Sequence, residues 1–141
     1  MAHPSPFASL EAAFRLLSRQ SCPLAIDGRQ LGHGAPARQI PASELRSIAL
    51  HPAASRDLQG TVLDAVIAGL QQEPATWTVV LGGILLPSMR CLAERISIGA
   101  DGQMSMLEIE AELLRRFAAV TRRPPAAIRR FVMQLLTDAR T

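Results

Sequence analysis

The sequence predicts an all-α fold: a single-domain bundle of about six helices, with a small hairpin or irregular loop near residues 23–41. Three observations predict it. The 141 residues are 48% hydrophobic but only 4% aromatic, so the core is built from Leu, Ile, Val and Ala, which favour helices packed on helices over a sandwich of strands. Apolar residues recur at three- and four-residue spacing through most of the chain. Prolines and serines stand where such runs begin and end. A chain of this length is long enough to bury one real core.

The elements follow in order. Ser5-Pro6 opens the first helix, with Pro at the first helical position, and Phe7, Leu10, Phe14 and Leu17 share one face before Pro23. Asp27-Gly28 between "LAI" and "RQL" is a two-residue hairpin signal, whose turn positions need positive φ. Its arms are short, so a small ribbon or an irregular loop is expected, with Gly32, Gly34, Pro36 and Pro41 keeping the remainder extended. "ASELRSIAL" is a short helix closed by His51-Pro52. Leu58, Val62, Leu63, Val66, Ile67 and Leu70 mark a longer one, ended by Pro74. "TWTVVLGGILLPSMRCLAERI" is apolar all round in its first half, which implies burial, and Gly82-Gly83 there permits close helix packing. Pro87 removes a backbone donor, so a kink or break is expected near it. A helix over "LEIEAELLRRFAAV" comes next. Last, "PPAAIRRFVMQLLTDA" puts Ile128, Phe131, Val132, Leu135 and Leu136 on one stripe. There is no internal repeat. Residues 1–52 form an N-terminal helix, hairpin or loop and short helix, and 53–141 a helical core.

Charge is unevenly spread. All 15 basic residues are arginine and none is lysine, a bias in keeping with a GC-rich genome. Residues 1–112 hold eight Arg against eleven acids, or −3, and residues 113–141 hold seven Arg against Asp138, or +6. A basic tail on a neutral-to-acidic body points to an anionic partner. Cys22 and Cys91 lack metal-ligand spacing and read as reduced thiols. No secretory pattern opens the chain, and the longest apolar run, Val79 to Leu86, is too short to span a bilayer. The expectation is a cytoplasmic protein without a membrane span.

The stretch "MSMLEIEAELLRRF", 104–117, admits three chemistries. From Ser97 to Glu108 it fits the second half of a calcium loop, with Asp101, Gly102, Met104, Ser105 and Glu108 at positions five, six, eight, nine and twelve. Ser97 and Gly99 stand where two carboxylates are needed, so no metal is expected to bind. Ser105-x-x-Glu108 is otherwise a capping box, with Met104 and Ile109 as its staple. On the helical wheel Glu108, Glu112, Arg115 and Arg116 fall on one side, opposite Ile109, Leu113, Phe117 and Val120. Glu112 and Arg116 make a favourable i,i+4 pair. Glu110 lies on the face that should be dry. It needs a cation beside it or solvent at an edge, and an edge waiting for a partner would satisfy it. Glu108, Glu110 and Glu112 are thus the candidate partner-binding residues.

Nothing points to catalysis. Glu108 and Glu110 face opposite sides and cannot flank one substrate. His3, His33 and His51 sit in Pro/Gly loops without a nucleophile, and there is no phosphate loop, nucleophile elbow or zinc spacing. No catalytic residue and no cofactor is expected. At the basic end, Arg122, Arg123, Arg129 and Arg130 gather around the helix start marked by Pro124-Pro125. Helix dipoles make that end already positive, so an anion is expected beside it: acidic side chains or the phosphates of a nucleic acid. These four are the candidate nucleic-acid-binding residues.

"TWTVVLGGILLPSMRCLAERI" followed by "LEIEAELLRRFAAV" resembles the central helical domain of bacterial sigma factors. There a helix with a mid-helix Pro-type break precedes an acidic helix that binds the clamp helices of RNA polymerase. The resemblance implies that Glu108, Glu112 and Glu110 are polymerase-facing carboxylates. The fuller pattern, including "PLAIDGRQLGHGAPARQIPASELRSIALHP", is similar to a group of uncharacterised actinobacterial proteins with a sigma-like core, over most of the chain. Promoter melting needs aromatics beyond the acidic helix to hold flipped bases. This chain has no Tyr, only Trp77, and past Phe117 only Phe131. The expectation is a non-enzymatic regulatory module that binds a transcription component (RNA polymerase) or the DNA backbone. The alternative is a helical adaptor that binds another protein through an exposed helix face, with no nucleic-acid role.

Overall fold

The structure, a computed structural model, describes residues 5–19 and 24–140; His3, Cys22 and Pro23, named above, lie outside them. Among the described residues six α-helices and one two-stranded ribbon follow in the order α1 Pro6–Arg19, β1 Ala25–Asp27, β2 Gln39–Pro41, α2 Ala42–Leu50, α3 Arg56–Gln72, α4 Pro74–Gly99, α5 Met106–Thr121 and α6 Pro125–Arg140. The fold is an all-α bundle with a small hairpin.

Helix starts are set by short side chains that take the first free backbone donors. Ser5 Oγ accepts from Ala8 N–H, Ser55 Oγ from Leu58 N–H, and Ser105 Oγ from Glu108 N–H at 3.1 Å. Asp101 and Gly102 take positive φ of 52° and 78° and turn the chain into that last cap. Only half of the expected capping box forms, because the Glu108 carboxylate is exposed and makes no hydrogen bond back. Met104 stays 37% exposed while Ile109 is buried, so the staple between them adds little burial.

α4 is the axis of the bundle and contacts each of the other five helices. Val80 through Leu86 are all buried. Length and composition alone would let this helix cross a bilayer, but half of its most apolar window is buried within the bundle. Gly82 and Gly83 do permit close packing. A Cβ at Gly83 would lie 2.1 Å from the Phe14 ring, and one at Gly82 would meet Leu10 and Phe117 at 3.1 Å.

Of the kink or break expected near Pro87, the break does not occur, and α4 continues as one helix of 26 residues. Pro87 has no N–H for the Gly83 carbonyl, one turn earlier. Arg46 of α2 takes that place, with Nη1 donating to Gly83 O at 3.1 Å. The same guanidinium makes two bonds to the Glu11 carboxylate, at 2.7 and 2.8 Å, and lies over the Phe14 ring at 4.5 Å from its centroid. Its donors are therefore shared between a carboxylate and the carbonyl that proline left unpaired.

The hairpin also differs from expectation. Strand β1 pairs not with "RQL" but antiparallel with β2, in the register Ala25↔Pro41, Ile26↔Ile40, Asp27↔Gln39. Asp27 keeps an extended backbone, and its carboxylate accepts from Arg29 N–H, which starts a 3-10 turn at Gly28–Gln30 instead of a two-residue reversal. Positive φ falls at Gly32, His33 and Gly34. Gly28 is needed for space, since a Cβ there would sit 1.8 Å from Pro36 O. Burial of both Ile26 and Ile40 fixes the register.

Candidate functional site

The three carboxylates of the acidic helix have three different fates. Glu110 is only 8% exposed, and its Oε1 accepts the backbone N–H of Phe7 at 3.0 Å. That donor is one of the orphan N–H groups in the first turn of α1, so the carboxylate acts as a second cap beside Ser5. The expected solvent edge or partner is replaced by a helix start, and Glu110 is withdrawn from any partner surface. Glu112 is bound on both sides. Arg115 donates to it at 2.9 and 2.6 Å and Arg116 at 3.1 Å. These bonds, Arg115's first, bring its pKa down from 4.5 to about 2. The expected Glu112–Arg116 pair forms, and Arg115 joins it as a second partner. Glu108 alone leaves a free carboxylate, beside exposed Met106 and Leu107.

The basic end also divides. Arg129 forms an ion pair with Asp64 of α3, so an acidic side chain of α3 supplies one anion beside α6. Its charge is spent within the fold. Arg122, Arg123 and Arg130 are exposed and make no ion pair. Arg122 and Arg123 lie between the end of α5 and the start of α6. The negative end of α5 offsets the positive start of α6 there, which lowers the cost of holding cations at this corner.

These side chains border a groove. α5 and α6 each pack on α4 far more extensively than on each other, and a gap of about 430 Å³ lies between them. Its floor is Met89 and Leu92 of α4. One wall is Leu113, Arg116 and Val120 of α5, and the other is Ala127, Arg130, Phe131, Gln134 and Leu135 of α6. Arg123 stands at the end where α5 turns into α6, and Asp138 at the far end. There Arg95 of α4 donates to the carbonyls of Asp138 and Ala139 and ties down the last turn of α6. Arg122 and Arg123 also border a second cleft, beside Pro74, Ala75 and Thr78 in the first turn of α4.

Of the seven residues singled out from the sequence, the groove gathers Arg123 and Arg130. It adds Arg116, read above only as a partner of Glu112. The wheel set Arg116 opposite Leu113 and Val120, whereas its spacing of three residues from one and four from the other puts it at the border of their stripe, where it edges the groove. The Glu11–Arg46–Gly83 node had no sequence signal, since its members lie in three separate elements.

Among the described residues no group of three or more His, Cys, Asp or Glu side chains is placed to hold a metal ion. Comparison with family models, with curated proteins and with solved structures finds no match to this chain.

Proposed function

We propose that this chain is a non-enzymatic regulatory module, sigma-like in its helical core, that binds an anionic partner in transcription through its α5–α6 corner. The partner is a transcription component such as RNA polymerase, or the DNA backbone. One observation carries the reading. Arg122, Arg123 and Arg130 are exposed without acidic partners around one helix junction, while Arg19, Arg29, Arg56 and Arg90, equally unpaired, lie on four other elements. Arg15, Arg38, Arg46, Arg115, Arg116 and Arg129 are held by carboxylates of the same chain. Cations left unpaired together attract anions and make association salt-dependent. Of the carboxylates that the sigma resemblance assigns to polymerase, Glu108 is the one with neither a hydrogen bond nor an ion pair. The reading therefore shifts weight from the acidic helix to the arginine corner.

The test is retention on heparin and on duplex DNA columns across a salt series. Contact with phosphates through three arginines predicts a log–log salt slope that falls by about 2.7 when all three become Gln, at about 0.9 per contact. Helical circular dichroism should be unchanged. If the wild-type chain shows no salt-sensitive retention, the nucleic-acid arm is wrong. The second reading, a protein-binding adaptor, is favoured by the apolar floor beneath these arginines, which a phosphate backbone would leave unused.

A further inference from the structure

The groove between α5 and α6 is shaped and charged for a helix. Its α6 wall runs from Ala127 to Asp138, about 16 Å or three turns at 1.5 Å per residue. It is bounded by one helix on each side and floored by a third, which is how a bundle presents the seat of an absent neighbour. The floor is apolar, through Met89 and Leu92, with Phe131 and Leu135 on the α6 wall. Cations sit on both sides of that floor, Arg116 on α5 and Arg130 on α6, and Arg123 closes the end where the two helices join. Arg116 is partly offset by Glu112, but Arg123 and Arg130 carry no ion pair. The one acid on the lining, Asp138, stands at the opposite end and accepts from Gln134.

We infer that the groove takes an amphipathic helix of a partner protein, about three turns long, with an apolar stripe flanked by Glu or Asp on both edges. Helix-in-groove recognition uses apolar anchors at i, i+3/i+4 and i+7, and the floor supplies their counterpart. Flanking acids answer the arginines on the two walls and at the Arg123 end. Charge complementarity of this kind sets orientation and partner choice. Nucleic acid is a poorer fit, since its phosphates would leave the apolar floor uncovered. The inference rests on the proposed function only in taking the chain to be a binding module, and it makes the partner a protein helix.

The test is a selection against the full chain from a displayed library of 16-residue helix-forming peptides. Their apolar stripe is fixed, and the flanking positions vary among Glu, Lys and Ser. Enriched peptides should carry Glu on both flanks and shift the methyl resonances of Met89, Leu92 and Leu113 while leaving Leu16 in place. They should bind Arg123→Glu/Arg130→Glu at least tenfold more weakly, and Arg90→Glu as well as the wild type. Exchanging the flanking Glu for Lys should restore binding to the doubly reversed variant. Absence of enrichment overturns the inference, as does enrichment without charge preference or binding insensitive to the double reversal. Perturbation of the same methyls by sodium laurate or duplex DNA, with no peptide enriched, overturns it in favour of those occupants. Heparin retention separates the two claims. Retention with no enriched peptide sinks the helix seat alone, and enriched peptides without retention sink the nucleic-acid arm alone.

Discussion

The carboxylate of Glu110 on α5 accepts the backbone N–H of Phe7 on α1 at 3.0 Å, across 103 residues of chain. Two helix starts are thereby linked, because Glu110 lies near the beginning of its own helix and caps the beginning of another. A carboxylate on a dry face is costly unless its charge meets donors, and the free N–H groups and positive dipole of a helix start supply them. Ser5 takes the Ala8 N–H and Glu110 the Phe7 N–H, so the first turn of α1 has two caps from two parts of the chain.

Replacing Glu110 should therefore destabilise the protein. A hydrogen bond to a charged group contributes about 1.5–3 kcal/mol, and Glu110→Ala should lose roughly that much in urea unfolding. Glu110→Gln keeps an acceptor and should lose less. Amide exchange at Phe7 should accelerate in the Ala variant. An unchanged midpoint for Glu110→Ala would mean that the carboxylate is not engaged with α1.

A coupling between Arg46 and Pro87 should be measurable, although the two are not bonded. Arg46→Met removes the donor to Gly83 O and leaves the half-buried Glu11 without its main partner, which should cost about 2–4 kcal/mol. Pro87→Ala returns an N–H to α4 that can pair with the Gly83 carbonyl. In that background Arg46→Met should cost less, by about 1 kcal/mol, in a double-mutant cycle. Strict additivity would show that Arg46 does not serve that carbonyl.

Neighbouring glycines in α4 should respond differently to the same change. A Cβ at Gly83 would be 2.1 Å from the Phe14 ring, itself pinned beneath Arg46. Gly83→Ala should then cost several kcal/mol, since overpacking costs about 1–3 kcal/mol and more where the neighbour cannot yield. Gly82 meets only the ends of Leu10 and Phe117 at 3.1 Å. There the helix propensity gained by Ala, about 1 kcal/mol, offsets most of the crowding. Melting temperatures of the two variants that move together would sink this contrast.

Acid should unfold the protein through its ion pairs. The hydrogen bonds of Arg46, followed by its charge and Arg15 against an opposing burial effect, hold the Glu11 carboxyl below its ordinary pKa. Arg38 does the same for Glu44, and Arg115 and Arg116 hold Glu112 at about 2. A carboxyl whose pKa is lower in the folded state adds stability that is fully present above its unfolded value. That stability is lost as pH falls through the folded one. Stability should thus be level above about pH 5 and decline as pH falls from 4.5 toward 2, the interval spanned by Glu112. Glu11→Gln should flatten the decline more than Glu112→Gln, because exposed pairs are screened by water and salt. Urea unfolding from pH 2 to 7 checks it, and a profile that stays level to pH 2 would show that these pairs contribute nothing.

The helices were legible in the sequence because their causes are local. Apolar spacing at Leu58–Leu70 and Ile128–Leu136, prolines at 6, 74 and 125, and serines at 5 and 105 act within a turn or two of themselves. The same holds for Gly82-Gly83, whose place in an apolar run already implied a close neighbour. What the pattern left open is which polar groups find each other. Arg46 meets Glu11 across 35 residues, Arg129 meets Asp64 across 65, and Glu110 meets Phe7 across 103. In each case a side chain's surroundings depend on where other helices come to rest, and burying apolar faces decides that. The same packing kept α4 unbroken at Pro87, moved the hairpin's partner strand to Gln39–Pro41, and left a gap between α5 and α6 over an apolar floor. A wheel can say that Glu110 lies on the dry side of its helix. Only the bundle brings the first turn of α1 against it, because hydrophobic burial is insensitive to which polar partners it delivers, and the chain keeps those that arrive satisfied.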